Sequence, residues 1–189
     1  MHELQSNGLV GRPDEFQARK MLTAITCGDH SALSRLYMSY YACLADFVSQ
    51  FVETDDRVED VIIDTFMTIW ETAREIPFEA KISLWLFRSA RRHALKFVRC
   101  CTPRASEYRN GEPEGQPGEP GIQTQALRPL SEALQCLPAE QRVVLTLCYK
   151  MGFSVREIAF INESQDEIIK LTMSQASRHL RQCLMTSRP

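Results

Sequence analysis

The strongest constraint on the fold is an apolar repeat of helical period that no strand pattern competes with. Val58, Val61, Ile62, Thr65, Phe66, Ile69, Trp70 and Ala73 follow i, i+3, i+4, i+7 spacing, which gathers them on one face of an α-helix. Leu33, Leu36, Tyr37, Tyr40, Tyr41 and Leu44 recur at the same three- and four-residue steps. Asp56 and Glu59 stand at capping-box spacing at the start of the first stretch, and Pro77 closes it. No alternation of apolar and polar residues survives elsewhere, so the expected class is all-α.

The helical pattern breaks once. The run from Thr102 to Ala126 contains four prolines and four glycines with only scattered apolar residues, a composition that cannot bury a core. Residues 102–127 therefore read as a disordered linker between two small helical domains, 25–101 and 128–189. Residues 1–24 form an N-terminal extension, polar and weakly patterned through residue 22. The linker's Glu107, Glu112, Glu114 and Glu119 leave two readings open, a solvated tether or a segment lying in a basic channel; composition favours the tether.

The second domain reads as four helices. Leu130, Leu134 and Leu137 mark the first; Pro138 suits the first turn of the second, which carries Val143, Val144, Leu147 and Cys148 and stops at Gly152. Ser154 and Glu157 make a capping box for a short third helix. Ser164 and Glu167 make another, for a long fourth helix with Ile169, Met173, Ala176 and Leu180 on one face. A short helix, a tight turn and a longer helix are the helix-turn-helix plan.

Composition excludes several classes. The chain has 189 residues, is 44% apolar and 24% charged, and carries a net charge of −2. That argues against a general nucleic-acid coat but not against a local basic surface. No apolar run is long enough to insert in a membrane, and the N-terminus lacks a signal-peptide core, so a cytoplasmic protein is expected. Seven cysteines without CxxC spacing point to reduced thiols. The adjacent Cys100 and Cys101 leave a metal-binding or redox role as the minor alternative. No catalytic grouping, phosphate loop or metal-spaced His/Asp set appears, so neither an enzyme nor a cofactor is expected.

Charge is sorted sharply along the chain. Residues 53–79 hold nine carboxylates against Arg57 and Arg74, whereas residues 80–104 hold seven bases and no acid. On a helical wheel Lys81, Arg88, Arg92, Lys96 and Arg99 fall in a stripe roughly 80° wide, with Trp85 inside it. A row of cations tracks a phosphate backbone, and an exposed aromatic stacks an unpaired base. The competing reading makes Trp85 partly core and the stripe a solvated face; the charge sorting favours DNA binding. In the last helix Gln165 and Lys170 lead and Arg178 and Arg181 come late. Asp166 and Glu167 at the leading end repel phosphates, so reading of base sequence by this helix stays open.

The runs EDVIIDTFMTIWE (Glu59–Glu71) and FEAKISLWLFRSARRHALKFVR (Phe78–Arg99) resemble region 2 of bacterial sigma factors of the extracytoplasmic-function (ECF) type. The run LSEALQCLPAEQRVVLTLCYKMGFSVREIAFI (Leu130–Ile161) resembles the start of their region 4. The resemblance implies a dissociable subunit of core RNA polymerase. Asp60, Asp64, Phe66 and Trp70 would dock on the polymerase clamp helices. Lys81, Trp85, Arg88, Arg92 and Arg99 would capture and melt the promoter −10 element, with the loop at residues 75–82 holding a flipped base. The second domain would read the −35 element and touch the polymerase flap. The resemblance also implies an anti-sigma factor, often membrane-anchored, as inhibitor. Ile63, Arg92 and Lys96 depart from the family's usual Gln, Asn and Asp, and Glu163, Asp166, Glu167 and Thr172 replace small or basic residues. The rival expectation is a sigma-like decoy that binds an anti-sigma factor without recognising promoters.

Overall fold

The computed structural model describes residues 14–101 and 134–186, all of them helical or in short connections. The expected linker at 102–127, most of the expected helix beginning at Leu130, and the Cys100 and Cys101 side chains lie outside what is described. Helix α1 spans Glu15–Thr26, α2 His30–Val48, α3 Asp55–Thr72 and α4 Ile82–Cys101. In the second unit α5 spans Ala139–Leu145 and runs on through a wider π turn, Thr146–Lys150; α6 spans Val155–Asn162 and α7 Asp166–Thr186. The architecture is all-α, with two helical units. No described helix is long and apolar enough to cross a membrane.

The N-terminal segment differs from expectation over residues 15–24. Ala18, Leu22 and Ile25 recur at i, i+4, i+7 and are buried, so α1 belongs to the first unit. Asp14 caps it by accepting from the Phe16 amide at 3.1 Å. The helix ends at Gly28, whose φ of +87° requires glycine although a Cβ there would meet nothing within 4 Å. Asp29 then caps α2 through the amides of Ser31 and Ala32.

Helix α3 buries Val58, Val61, Ile62, Thr65, Phe66 and Ile69, the face its periodicity predicts. It begins two residues earlier than the Asp56–Glu59 capping box requires. Thr54 is the N-cap and makes no side-chain bond. The Ser154–Glu157 box does form. Helix α7 starts at Asp166, with the Gln165 carbonyl accepting from Ile168 and Ile169, one residue past the predicted Ser164 cap.

The two units share a buried layer. Phe87 of α4 is fully buried and meets Phe47 of α2 edge-on at 5.1 Å. On its other side it meets Phe153, just before α6, at 5.2 Å. One continuous apolar core therefore runs from α1 to Ile169. A smaller cluster of Leu137, Leu145 and Ala176, with Leu134 and Leu180 against it, closes the far end of the second unit.

Candidate nucleic-acid interface

Helix α4 is amphipathic because its small and apolar residues, Ile82, Leu86, Phe87, Ala90 and Ala94, all turn inward, leaving its bases on the outer face. Its start is held by α1. Glu15 accepts from the amide of Ile82 at 2.9 Å and of Ser83 at 3.3 Å, and from the Ser83 hydroxyl. A carboxylate there satisfies free helix-start amides and suits the helix dipole. Arg19 donates to the carbonyls of Pro77 and Ala80 and lies over the Phe78 ring at 5.4 Å. The loop at residues 75–82 is therefore strapped by an element that local sequence signals left out.

The basic row is not open to solvent along its length. Lys81 pairs with Glu157 at 2.6 Å. Arg88 Nε and Arg92 Nε both donate to Glu163 Oε1, at 2.8 and 2.7 Å. Trp85 is half-buried, edge-on to Phe160 at 5.9 Å, and the Arg88 guanidinium lies over Phe160 at 4.7 Å. Trp85, expected as an open stacking platform, is thus partly covered by an aromatic ring of α6. Lys96 and Arg99 are exposed and form no ion pair among the described residues. The second unit also reaches α2, where Lys150 pairs with Asp46 at 2.5 Å.

The electrostatics of this contact are self-consistent. Hydrogen bonding from Arg92 holds the Glu163 carboxyl below its ordinary value, against partial burial, with Arg88 adding to the effect. Burial works to raise Glu157, but hydrogen bonds from Lys81 and Ser154 outweigh it and leave the carboxyl lowered. Glu163 is also the one described non-glycine residue with positive φ, +53°. It terminates α6 in a left-handed cap, where the Ser164 amide returns to the Ala159 carbonyl at 3.0 Å. The turn between α6 and α7 thereby aims a carboxylate at α4.

The acidic face of α3 is different. Asp55, Asp56, Glu59, Asp60, Asp64 and Glu71 are all exposed, flanked by Ile63 at 46% and Met67 at 51% exposure. Two residues expected to join this surface turn away from it. Phe66 is only 4% exposed and packs edge-on against Tyr37 at 5.1 Å; it is a core residue. Trp70 is half-buried and stacks on His30 at 4.5 Å. Between α3 and α4 lies a cleft of about 460 Å³ whose lining includes Thr68, Thr72, Glu75, Trp85, Arg92 and His93. Burial lowers the His93 pKa despite nearby Asp64, and its Nε2 lies 2.9 Å from Thr68 Oγ1.

On α7, Gln165, Lys170, Arg178 and Arg181 are exposed, while Ile169 and Ala176 are buried. Ile168 and Leu171 are each more than half exposed, so the leading half of this helix is acidic and apolar. Asp166 lies 4.0 Å from Arg156. No cluster of His, Cys, Asp and Glu among the described residues is arranged to hold a metal.

No protein-family model matches the chain. It is 25% identical over 174 residues, 88% of this chain and 93% of the relative, to the ECF RNA polymerase sigma factor SigK of Mycobacterium tuberculosis H37Rv. The likeness to SigK of Mycobacterium bovis BCG has the same extent. Among solved structures, RpoE of Bartonella quintana, in complex with the anti-sigma factor NepR, superposes with a TM-score of 0.67 at 23% identity, covering 82% of this chain and 98% of that one. CnrH, in complex with the cytosolic domain of CnrY, gives 0.66 at 20% identity, covering 91% and 99%. Sequence likeness along nearly the whole chain, with the region 2 and region 4 runs in their proper order, makes the chain similar to sigma factors of the ECF type, and the superposed structures share its helical fold.

Proposed function

We propose that the chain directs core RNA polymerase to promoters, with the open acidic face of α3 docking on polymerase and the α4 row engaging the −10 element. The observation that carries this reading is the row itself: Lys81, Arg88, Arg92, Lys96 and Arg99 along one helix face, with Trp85 among them and a cleft beside it. Asp60 and Asp64 are the polymerase contacts within the acidic face, joined by exposed Ile63 and Met67 in place of Phe66. The cleft between α3 and α4 suits an unstacked base, with Trp85 as its aromatic wall. Gln165, Lys170, Arg178 and Arg181 would meet the −35 element, the two arginines on the phosphates.

Promoter engagement then requires the two units to part. Glu163 occupies the arginines that a phosphate would take, so DNA competes with a carboxylate the chain supplies itself. An anti-sigma factor, such as the one bound to the similar RpoE, would act by holding the units together or by covering the α3 face. The decoy reading keeps one observation in its favour, the acidic lead of α7 at Asp166 and Glu167.

Run-off transcription with purified core polymerase on a promoter library separates the two. The sigma reading expects initiation from a subset of promoters. It also expects Arg88→Glu with Arg92→Glu to abolish promoter opening while core binding, measured by gel filtration, survives. No initiation on any template, together with tight binding to an anti-sigma factor, would establish the decoy.

A further inference from the structure

The cysteines are the one set of reactive groups that the proposed function does not use. Among the described residues Cys27, Cys43, Cys136, Cys148 and Cys183 take part in no disulfide. Two of them, 47 positions apart in the chain (183 − 136), are brought side by side. The Cys136 and Cys183 side chains are hydrogen-bonded to each other, one on the segment leading into α5 and the other near the end of α7.

Their approach follows from packing. Ala176, Leu180 and Cys183 recur at i, i+4, i+7 on α7 and so share one face. Ala176 and Leu180 pack against Leu137 and Leu134, the neighbours of Cys136 in sequence. Closing the small apolar cluster therefore places one thiol over the other. Cys136 is exposed and Cys183 is half-buried, so an oxidant reaches the pair from solvent.

We propose that Cys136 and Cys183 form a reversible disulfide, making the second unit a site of thiol oxidation. With hydrogen peroxide as oxidant, the exposed Cys136 thiolate attacks one peroxide oxygen and breaks the O–O bond, giving a sulfenic acid and releasing water once the leaving oxygen is protonated. Cys183 sulfur then displaces the sulfenic hydroxyl, forming the S–S bond, and its proton leaves with that hydroxyl as a second water. Two thiols and one peroxide become one disulfide and two waters, and a small dithiol reverses the step by exchange. Burial, with Cys136 beside it, raises the Cys183 pKa, which suits Cys183 to the second role, that of resolving thiol. The bond would tie the entry of α5 to the end of α7 and close a loop around the whole helix-turn-helix, restricting the unfolded chain. It needs no opening of the contact with α4 and does not depend on the promoter reading.

The test uses the full chain, reduced and then treated with hydrogen peroxide at equal protein concentration. The expected result is the loss of two of seven titratable thiols, a monomer on non-reducing gels, and a tryptic cross-link between the peptides holding Cys136 and Cys183. Oxidation should raise the melting temperature by several degrees, reversibly with dithiothreitol. Cys136→Ser and Cys183→Ser should each abolish both the cross-link and the shift, whereas Cys148→Ser should leave them intact. A cross-link mapping to other cysteines, covalent dimers, or thiol loss unchanged in Cys136→Ser would overturn the proposal.

Discussion

Helices α3 and α4 lie side by side and carry opposite charge on their outer faces, yet one face is open and the other is covered. The carboxylates of α3 point to solvent, and the closest tie to the bases of α4 is Asp64 to His93 at 3.9 Å. The cover over α4 comes from much further along the chain, through Glu157, Phe160 and Glu163. Charge sorting between neighbouring helices therefore does not neutralise itself. The two outer faces meet different surroundings, and whether a face finds a partner depends on what is within reach. For α4 that partner lies within the same chain. For the α3 face, apart from His93 beside Asp64, no ion-pair partner is seen among the described residues.

The apolar part of the cover should dominate its energetics. Phe87 is buried between Phe47 and Phe153, and truncating such a side chain costs about 3–5 kcal/mol. Phe87→Ala should lower stability by that amount in urea denaturation. It should also expose Trp85, seen as a red-shifted emission at low urea. The matched change on the open side, Met67→Ala, should stay within about 0.5 kcal/mol because half of that side chain already meets water. Equal losses at the two positions would mean that the units do not share a core.

The ionic part is smaller because its groups are partly exposed, with Arg92 at 59% and Glu163 at 36%. Such a pair is worth at most about 1 kcal/mol. Glu163→Gln should therefore strengthen binding of a single-stranded oligonucleotide by about fivefold at low salt, with the gain shrinking as salt is added. Asp60→Asn with Asp64→Asn removes as much negative charge from the open face. It should change oligonucleotide affinity little and weaken core polymerase binding instead. Fluorescence anisotropy with both ligands tests whether the two faces are separate.

Much of the open face was legible in the sequence, and little of the cover was. The repeat from Val58 to Ala73 places α3 and its carboxylates because a helix writes its faces into local spacing. The same repeat puts Phe66 in the core; only the family resemblance moved it to the surface. Helix α1 escaped notice because its buried face is narrow, Ala18, Leu22 and Ile25 among polar neighbours. The Glu163 contact leaves no local signal at all, since its partners lie 71 and 75 residues away and an acid in a helix-turn-helix turn reads only as a poor match to DNA. The cysteine pair was hidden in the same way, as two thiols far apart in the chain without CxxC spacing.

The smallest expected effect isolates the backbone from the charge at this turn. A left-handed φ of +53° at Glu163 costs an ordinary L-residue about 1–2 kcal/mol relative to glycine, part of which glycine gives back through its freer unfolded chain. Glu163→Ala and Glu163→Gly both delete the carboxylate and free Arg88 and Arg92, so both should bind an oligonucleotide alike. They should differ in stability by about 1 kcal/mol in favour of glycine, measured by urea denaturation. Glycine is thus the easier residue for this turn on backbone grounds, and glutamate is tolerated there while its side chain holds the two arginines. Equal stability of the two variants would place the turn outside the left-handed region. Unequal oligonucleotide binding would mean that backbone strain, and not the carboxylate alone, keeps α4 covered.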